Sequence, residues 1–296
     1  MINKNKIFVL GASSFIGYSL LKFNINKKNW VGGVSKKNIN YKNQIKKKRI
    51  NNIKKKLRYF NYSNKTTFHN LDDSRVLINC IGFTKNFNNP KFDFFLAKKK
   101  FDLYYANLKN YLQNNETELL IHIGSSAEYG FTKKKIAENL RCRPVTKYGQ
   151  YKLYEHNKLK KLVNRNTKVV NIRCFSIFGE LNKKETLFEQ IKNNKELRIK
   201  NPNIKIDVIS VHYLNKLILE IINSYKSLNK FDIINFCSSN TIILKDLLLK
   251  LNLRKKIVFS TNSSKSNNMK TSNNKMLSFI QFNKKYNFKI LKNYLN

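Results

Sequence analysis

The feature that most limits what this chain can fold into is an alternation, through its first half, of short apolar runs with longer amphipathic stretches. Residues 7–10 form an apolar run that ends at a glycine, and a helix-like stretch follows over 15–23. Residues 30–34, bounded by glycines and lysines, and the alternating stretch 57–62 read as a second and a third strand. Residues 76–81 read as a fourth, with helical periodicity after it over 101–113. Residues 119–123 and 169–172 read as a fifth and a sixth, with a helix over 148–162 between them. Apolar runs of this length, separated by helices, are the sequence signature of a parallel sheet covered on both faces. The second half is less regular: strands are expected over 206–211 and 231–236, helices over 214–222 and 244–251, and a polar loop over 260–274. Only Pro90, Pro144 and Pro202 interrupt the pattern, and no internal repeat is visible.

With 296 residues, 41% hydrophobic and 12% aromatic, the chain can build one large domain carrying a smaller lobe, which excludes a disordered chain. The formal charge of +42 invites a nucleic-acid reading. Lysine supplies most of that charge, however, and is spread over the whole chain in short runs such as 46–48, 54–56, 98–100 and 133–135. Nucleic-acid surfaces favour arginine, whose planar fork pairs with phosphate bidentately, so a nucleic-acid partner is not expected. Some of the surplus can still attract an anionic nucleotide. Cys80, Cys142, Cys174 and Cys237 are far apart and show neither metal-ligand spacing nor a disulfide framework, so no metal is expected. No signal sequence and no apolar stretch of bilayer length is seen, so the expected setting is cytoplasmic and reducing, with no membrane partner.

Three stretches carry chemistry. After the first strand comes Gly11-Ala12-Ser13-Ser14-Phe15-Ile16-Gly17, a small-residue turn opening a helix. Such a turn sets backbone N–H groups and a positive dipole end against a pyrophosphate. At the end of the second strand, Ser35 and Lys36 stand where an acidic residue would bind the ribose of NAD, which tilts the expected cofactor towards NADP. Tyr148 and Lys152 lie one helical turn apart on one face. A phenol of pKa about 10 is a poor acid or base at neutral pH, and an ammonium beside it lowers that value. Upstream, residues 119–123 run into Gly124-Ser125-Ser126-Ala127-Glu128-Tyr129-Gly130, serine hydroxyls at the carboxyl edge of a parallel sheet.

Together these residues resemble the extended short-chain dehydrogenase/reductases, the NAD-dependent epimerase/dehydratase family, over at least residues 6–240. Gly11 to Gly17 resembles the family's glycine turn, with Ser14 in place of the middle glycine. Ile81 and Gly82 end a stretch similar to its fourth strand, and Arg143 to Lys152 is similar to the segment that delivers the tyrosine and lysine. The stretch from Asn171 to Gly179 resembles the entry to the substrate lobe, with Cys174 where proline is usual. Farther on, Ile206 replaces a customary arginine and His212-Tyr213 a customary acidic pair.

The resemblance implies a Rossmann-type doubly wound parallel sheet with a smaller C-terminal α/β lobe. It divides the chain into a dinucleotide-binding domain over 1–175 and a mainly substrate-binding lobe over 176–296. The strands near 206–211 and 231–237 would return to the first domain or its edge. It assigns Ser125 (with Ser126 as the fallback), Tyr148 and Lys152 to catalysis, and Ser126 and Ala127 to substrate contact. Gly11, Ser13, Ser14, Phe15, Ile16, Gly17, Ser35, Lys36, Ile81, Gly82, Tyr148 and Lys152 would hold the cofactor. The implied substrate is a nucleotide sugar, oxidised or reduced at a sugar carbon, and the resemblance allows a homodimer.

Family members that dehydrate the sugar carry an acid pair where Ser126 and Ala127 stand, and those that invert several centres carry cysteine at Ala127. Glu128 comes one residue late and on a strand would face the other way. The expectation is therefore 4-keto reduction or 4-epimerisation. The rival classes are an inactive dinucleotide binder, a basic nucleic-acid binder, and a scaffold with no ligand.

Overall fold

Alternate residues of the first strand, β1 (Lys6–Leu10), serve different cores: Ile7 and Val9 pack into one apolar cluster, Phe8 and Leu10 into another. The same sorting by twos separates Val76 and Ile78 from Leu77, and Leu119 and Ile121 from Leu120. Both faces of the sheet are thus dry, which explains why these strands are apolar runs rather than half-polar alternations. The computed structural model describes residues 6–35, 43–71, 74–83, 92–253, 256–259 and 269–296.

In chain order β1 is followed by α1 (Phe15–Phe23), β2 (Trp30–Val34), α2 (Gln44–Asn52), β3 (Leu57–Tyr59), β4 (Ser74–Asn79) and α3 (Phe94–Asn114). Next come β5 (Leu119–Ser125), β6 (Lys135–Ile136), α4 (Lys147–Lys160), β7 (Lys168–Cys174), β8 (Ser176–Phe178), α5 (Leu187–Asn193), β9 (Glu196–Ile199) and β10 (Lys205–Ser210). The chain ends with α6 (Val211–Ser224), β11 (Phe231–Phe236), β12 (Thr241–Ile243), α7 (Leu244–Leu251), β13 (Lys256–Phe259), β14 (Lys270–Thr271), α8 (Asn274–Leu277) and α9 (Lys284–Leu295).

Seven parallel strands form the central sheet in the order β11-β7-β5-β4-β1-β2-β3. The chain winds outward from β1 to β3, then crosses back to β4 and winds the other way. The reversal lies between β1 and β4, and doubly wound sheets bind ligands at the carboxyl ends flanking such a reversal. The fold is the α/β, Rossmann-type sheet that the sequence implied.

A three-stranded sheet, β12-β10-β8, and the pair β13-β9 build a smaller layer around Phe178, Ile206, Val208, Leu244 and Leu291. β11 pairs along β7 at the edge of the central sheet, whereas β10 pairs with β8 and β12 and with no strand of that sheet. α6 lies on the larger layer, where Leu214, Leu217 and Ile218 join the cluster of Tyr18 and Leu21. The division between layers is therefore not a single cut in sequence. One residue, Phe175, separates β7 from β8, and β10 runs directly into α6.

Several boundaries differ from expectation. α3 begins at Phe94, seven residues before the periodicity, because the Asp93 side chain caps it by accepting from the Leu96 N–H at 2.8 Å. β3 stops at Tyr59, although the Phe60 N–H still donates to the Val34 carbonyl. The stretch expected as a loop over 260–274 contains β14 and the start of α8, because buried Thr271 is drawn in by a hydrogen bond of 2.5 Å to Asp207. α2 was missed because lysines dominate it and only Ile50 and Arg49 are buried.

Candidate active site

The turn after β1 can be built only with glycine at two positions. Gly11 has φ +80°, and a Cβ there would lie 2.9 Å from the Cys80 carbonyl and the Ile81 nitrogen. A Cβ on Gly17 would lie 2.5 Å from the Gly11 oxygen. The turn therefore sits directly against the end of β4, bringing Gly11 beside Ile81. Ser14, at φ −69°, needs no glycine: it caps α1, its hydroxyl accepting from the Gly17 N–H at 3.0 Å. The first amides of a helix have no acceptor within it, so Phe15 and Ile16, just ahead of the capped Gly17, present an anion-binding end. These features fit the pyrophosphate of a dinucleotide. Ser35 follows β2 directly, and Lys36 lies outside the described residues.

Arg49 was not singled out in the sequence. Its guanidinium is buried, donating to the Ser13 carbonyl at 2.9 Å and to the Leu181 carbonyl at 2.8 Å, and so ties the glycine turn to the chain entering the smaller layer.

Across the reversal, β5 ends at Ser125 and α4 begins one turn before Lys152. Thr146 caps that helix by accepting from the Gly149 N–H at 3.0 Å, which places Tyr148 in the first turn. The Ser125 hydroxyl, which accepts from the Ala127 N–H at 3.2 Å, lies close enough to the Tyr148 phenol to favour its charged form. Burial raises the Tyr148 phenol above its usual range, while Lys152 and Ser125 pull it back. The three residues expected to act together therefore meet, and Phe92 stacks edge-on against the Tyr148 ring at 6.1 Å. Ser126 and Ala127 follow in a single 3-10 turn, half-buried.

Beneath the trio lies a buried polar layer that the sequence did not disclose. Lys152 is 4% exposed, and its ammonium donates to the Ile123 carbonyl at 3.0 Å and to the Glu155 carboxylate. Burial works against that charge, but Glu155 and Tyr148 outweigh it and raise the ammonium above its usual range. Glu128 lies in a 3-10 turn and not on a strand, and its side chain is buried. Its Oε1 accepts from the Ser125 N–H at 3.0 Å and its Oε2 pairs with Arg173 at 2.8 Å. Burial raises this carboxyl and Arg173 opposes the rise. A polar residue inside an otherwise apolar strand run, such as His122 in β5 or Asn79 in β4, was the available signal for this layer.

The family model described as NAD dependent epimerase/dehydratase family matches residues 7–236. The chain belongs to this family. No curated protein matches this epimerase/dehydratase family member in sequence. Among solved structures it is similar to UDP-glucuronic acid 4-epimerase from Bacillus cereus, solved with UDP-glucuronic acid and NAD, at 17% identity and TM-score 0.81, covering 98% of both chains. It is also similar to UDP-N-acetylglucosamine 4-epimerase from Methanobrevibacter ruminantium M1 (16% identity, TM-score 0.79, 98% and 97% of the two chains). An NAD-dependent NDP-hexosamine 5,6-dehydratase of tunicamycin biosynthesis matches at 12% identity and TM-score 0.79, over 98% of this chain and 97% of that one. At such identities the likeness establishes the shared fold of the epimerase/dehydratase family member.

Proposed function

We propose that the protein oxidises or reduces a nucleotide sugar at C4, by epimerisation or keto reduction, with Tyr148 as the acid/base. The observation that carries this reading is the meeting of the Ser125 hydroxyl, the Tyr148 phenol and the Lys152 ammonium at the carboxyl edge of the sheet, across the reversal from the glycine turn. A nicotinamide dinucleotide, when bound, supplies the hydride acceptor and donor. Tyr148 takes the proton from the sugar hydroxyl and returns it to the carbonyl oxygen. Ser125 holds that oxygen, and Lys152 favours the phenolate by its charge.

That Ser126 and Ala127 stand in place of an acid pair supports C4 chemistry over dehydration, since Glu128 is committed to Arg173. Residues 1–175 with α6 and β11 would hold the cofactor, and the smaller layer would hold the nucleotide. Ser35 and the lysines after it support NADP, although the Bacillus cereus epimerase was solved with NAD and the tunicamycin dehydratase is NAD-dependent. Fluorescence titration with NADPH and NADH decides between them. α3 exposes Leu96 and Leu103 two turns apart, which supports a homodimer through this helix, and sedimentation tests it. Among the described residues no helix is long and apolar enough to cross a membrane, and the four cysteines are free thiols, which supports the cytoplasmic setting.

The reading is tested by Tyr148→Phe against a panel of nucleotide sugars and their 4-keto forms. Turnover is expected to fall by on the order of 10²–10⁴-fold with dinucleotide binding retained. Unchanged turnover refutes it.

A further inference from the structure

Lys152 does not hang from α4 by its own chain alone. Behind it runs a file of buried polar groups that begins at the end of β4. The Ile81 N–H donates to the Asn79 side-chain oxygen at 3.1 Å, and that bond fixes which end of the Asn79 amide is which. The amide NH₂ therefore points at His122, 3.1 Å from Nδ1. Nδ1 must accept, so in the neutral ring Nε2 carries the hydrogen. Nε2 lies 3.5 Å from Glu155 Oε2, the same oxygen that receives the Lys152 ammonium. Asn79, His122 and Glu155 are each wholly buried.

We propose that Glu155, held from behind by His122 and Asn79, is a positioning residue that fixes the Lys152 ammonium and limits how strongly it acts on the Tyr148 phenol. This rests on the reading of Tyr148 and Lys152 as the proton-transfer pair. A buried ion pair is a poor source of stability, because desolvating both charges offsets their attraction. Its presence one turn from the reacting phenol calls for another role. The carboxylate opposes the ammonium: Lys152 lowers the Tyr148 phenol and Glu155 raises it. The file also starts at Ile81, the segment against which the glycine turn packs, so the place of the ammonium is set by the same strand end that would meet the cofactor.

The groups facing this pair come from every neighbouring element. α4 contributes Tyr148 and Tyr151, β5 contributes His122 and Ser125, and the turn after it contributes Glu128. The residue after β4 contributes Cys80, β7 contributes Cys174, and α3 contributes Tyr104. Lys152 and His122 are the two groups that hold the Glu155 carboxyl down, against burial, at about 2. Their pull favours the charged carboxylate. With Glu155→Gln the cluster of Lys152, Tyr148 and position 155 becomes one unit more positive, and the ammonium loses the anion that opposes it. The Ser125 hydroxyl and the Ile123 carbonyl then favour the phenolate–ammonium form.

The test is the tyrosinate absorbance of the full chain titrated with pH, minus that of its Tyr148→Phe variant, which follows Tyr148 without any substrate. Glu155→Gln is expected to move that midpoint to lower pH by about one unit. A midpoint that stays or rises overturns the proposal. Should Glu155→Gln fail to fold, Glu155→Asp keeps the charge and draws the carboxylate back by one methylene. Turnover is then expected to fall by about ten- to a hundredfold with KM unchanged, and wild-type turnover overturns the proposal. If the unaltered protein turns over no nucleotide sugar, the functional reading fails by itself, because the absorbance titration still reports on Glu155.

Discussion

Gly17 lies where one added methyl would meet the Gly11 oxygen at 2.5 Å, backbone against backbone, so neither side can rotate away. Gly17→Ala is therefore expected to push α1 off the turn, abolish dinucleotide binding in a fluorescence titration and lower the urea midpoint. A variant that binds normally would show that the turn is not the cofactor seat. His156 makes a pH prediction. Burial, with Arg173 and His122 nearby, lowers its pKa from the ordinary imidazole value to about 3. The unfolded chain then takes up this proton first, so stability is full above the unfolded pKa of about 6.5 and is lost as pH falls towards the folded one. The thermal midpoint should drop between those limits, and His156→Gln should flatten that drop. The pairing of Tyr148 with Lys152 was legible because four residues along a helix is a local spacing, whereas the approach of Ser125 from β5 came only through the family resemblance. Glu155 and His122 were not, because a buried acid looks like a surface acid until the residues that cover it are known.

At the scale of the element, α4 carries the phenol in its first turn, where a helix frays most easily. The Thr146 cap holds that turn. Thr146→Ala is expected to lower stability by about 1 kcal/mol and to reduce turnover more than the loss of fold accounts for; equal losses would assign the cap to folding alone. The strand ends were legible to within a few residues wherever an apolar run met glycine or lysine, as at β1 and β2. The short strands of the smaller layer were not, because β8 and β12 have three residues each and their pairing partners are distant. β11 illustrates the same limit from the other side: its apolar run was plain, but its place beside β7 depends on the path of the chain between them.

For the molecule as a whole, 59 lysines and arginines against 17 acids leave the folded chain repelling itself. Most of the lysine and arginine ion pairs seen among the described residues lie at the surface, where each contributes little. Raising the ionic strength from about 0.01 M to about 0.15 M shortens the screening length from about 30 Å to about 8 Å, and should raise the thermal midpoint. A midpoint indifferent to salt would show that the lysines are spaced widely enough to ignore one another. The smaller sheet is spliced into the larger layer at Phe175 and again where Ser210 meets Val211. The chain crosses once more between β11 and β12, and a body joined at several such seams cannot open like a book on one spine. Whatever shields a ligand held between the layers must therefore be supplied locally, by side chains or a short strap, and not by one half swinging away from the other.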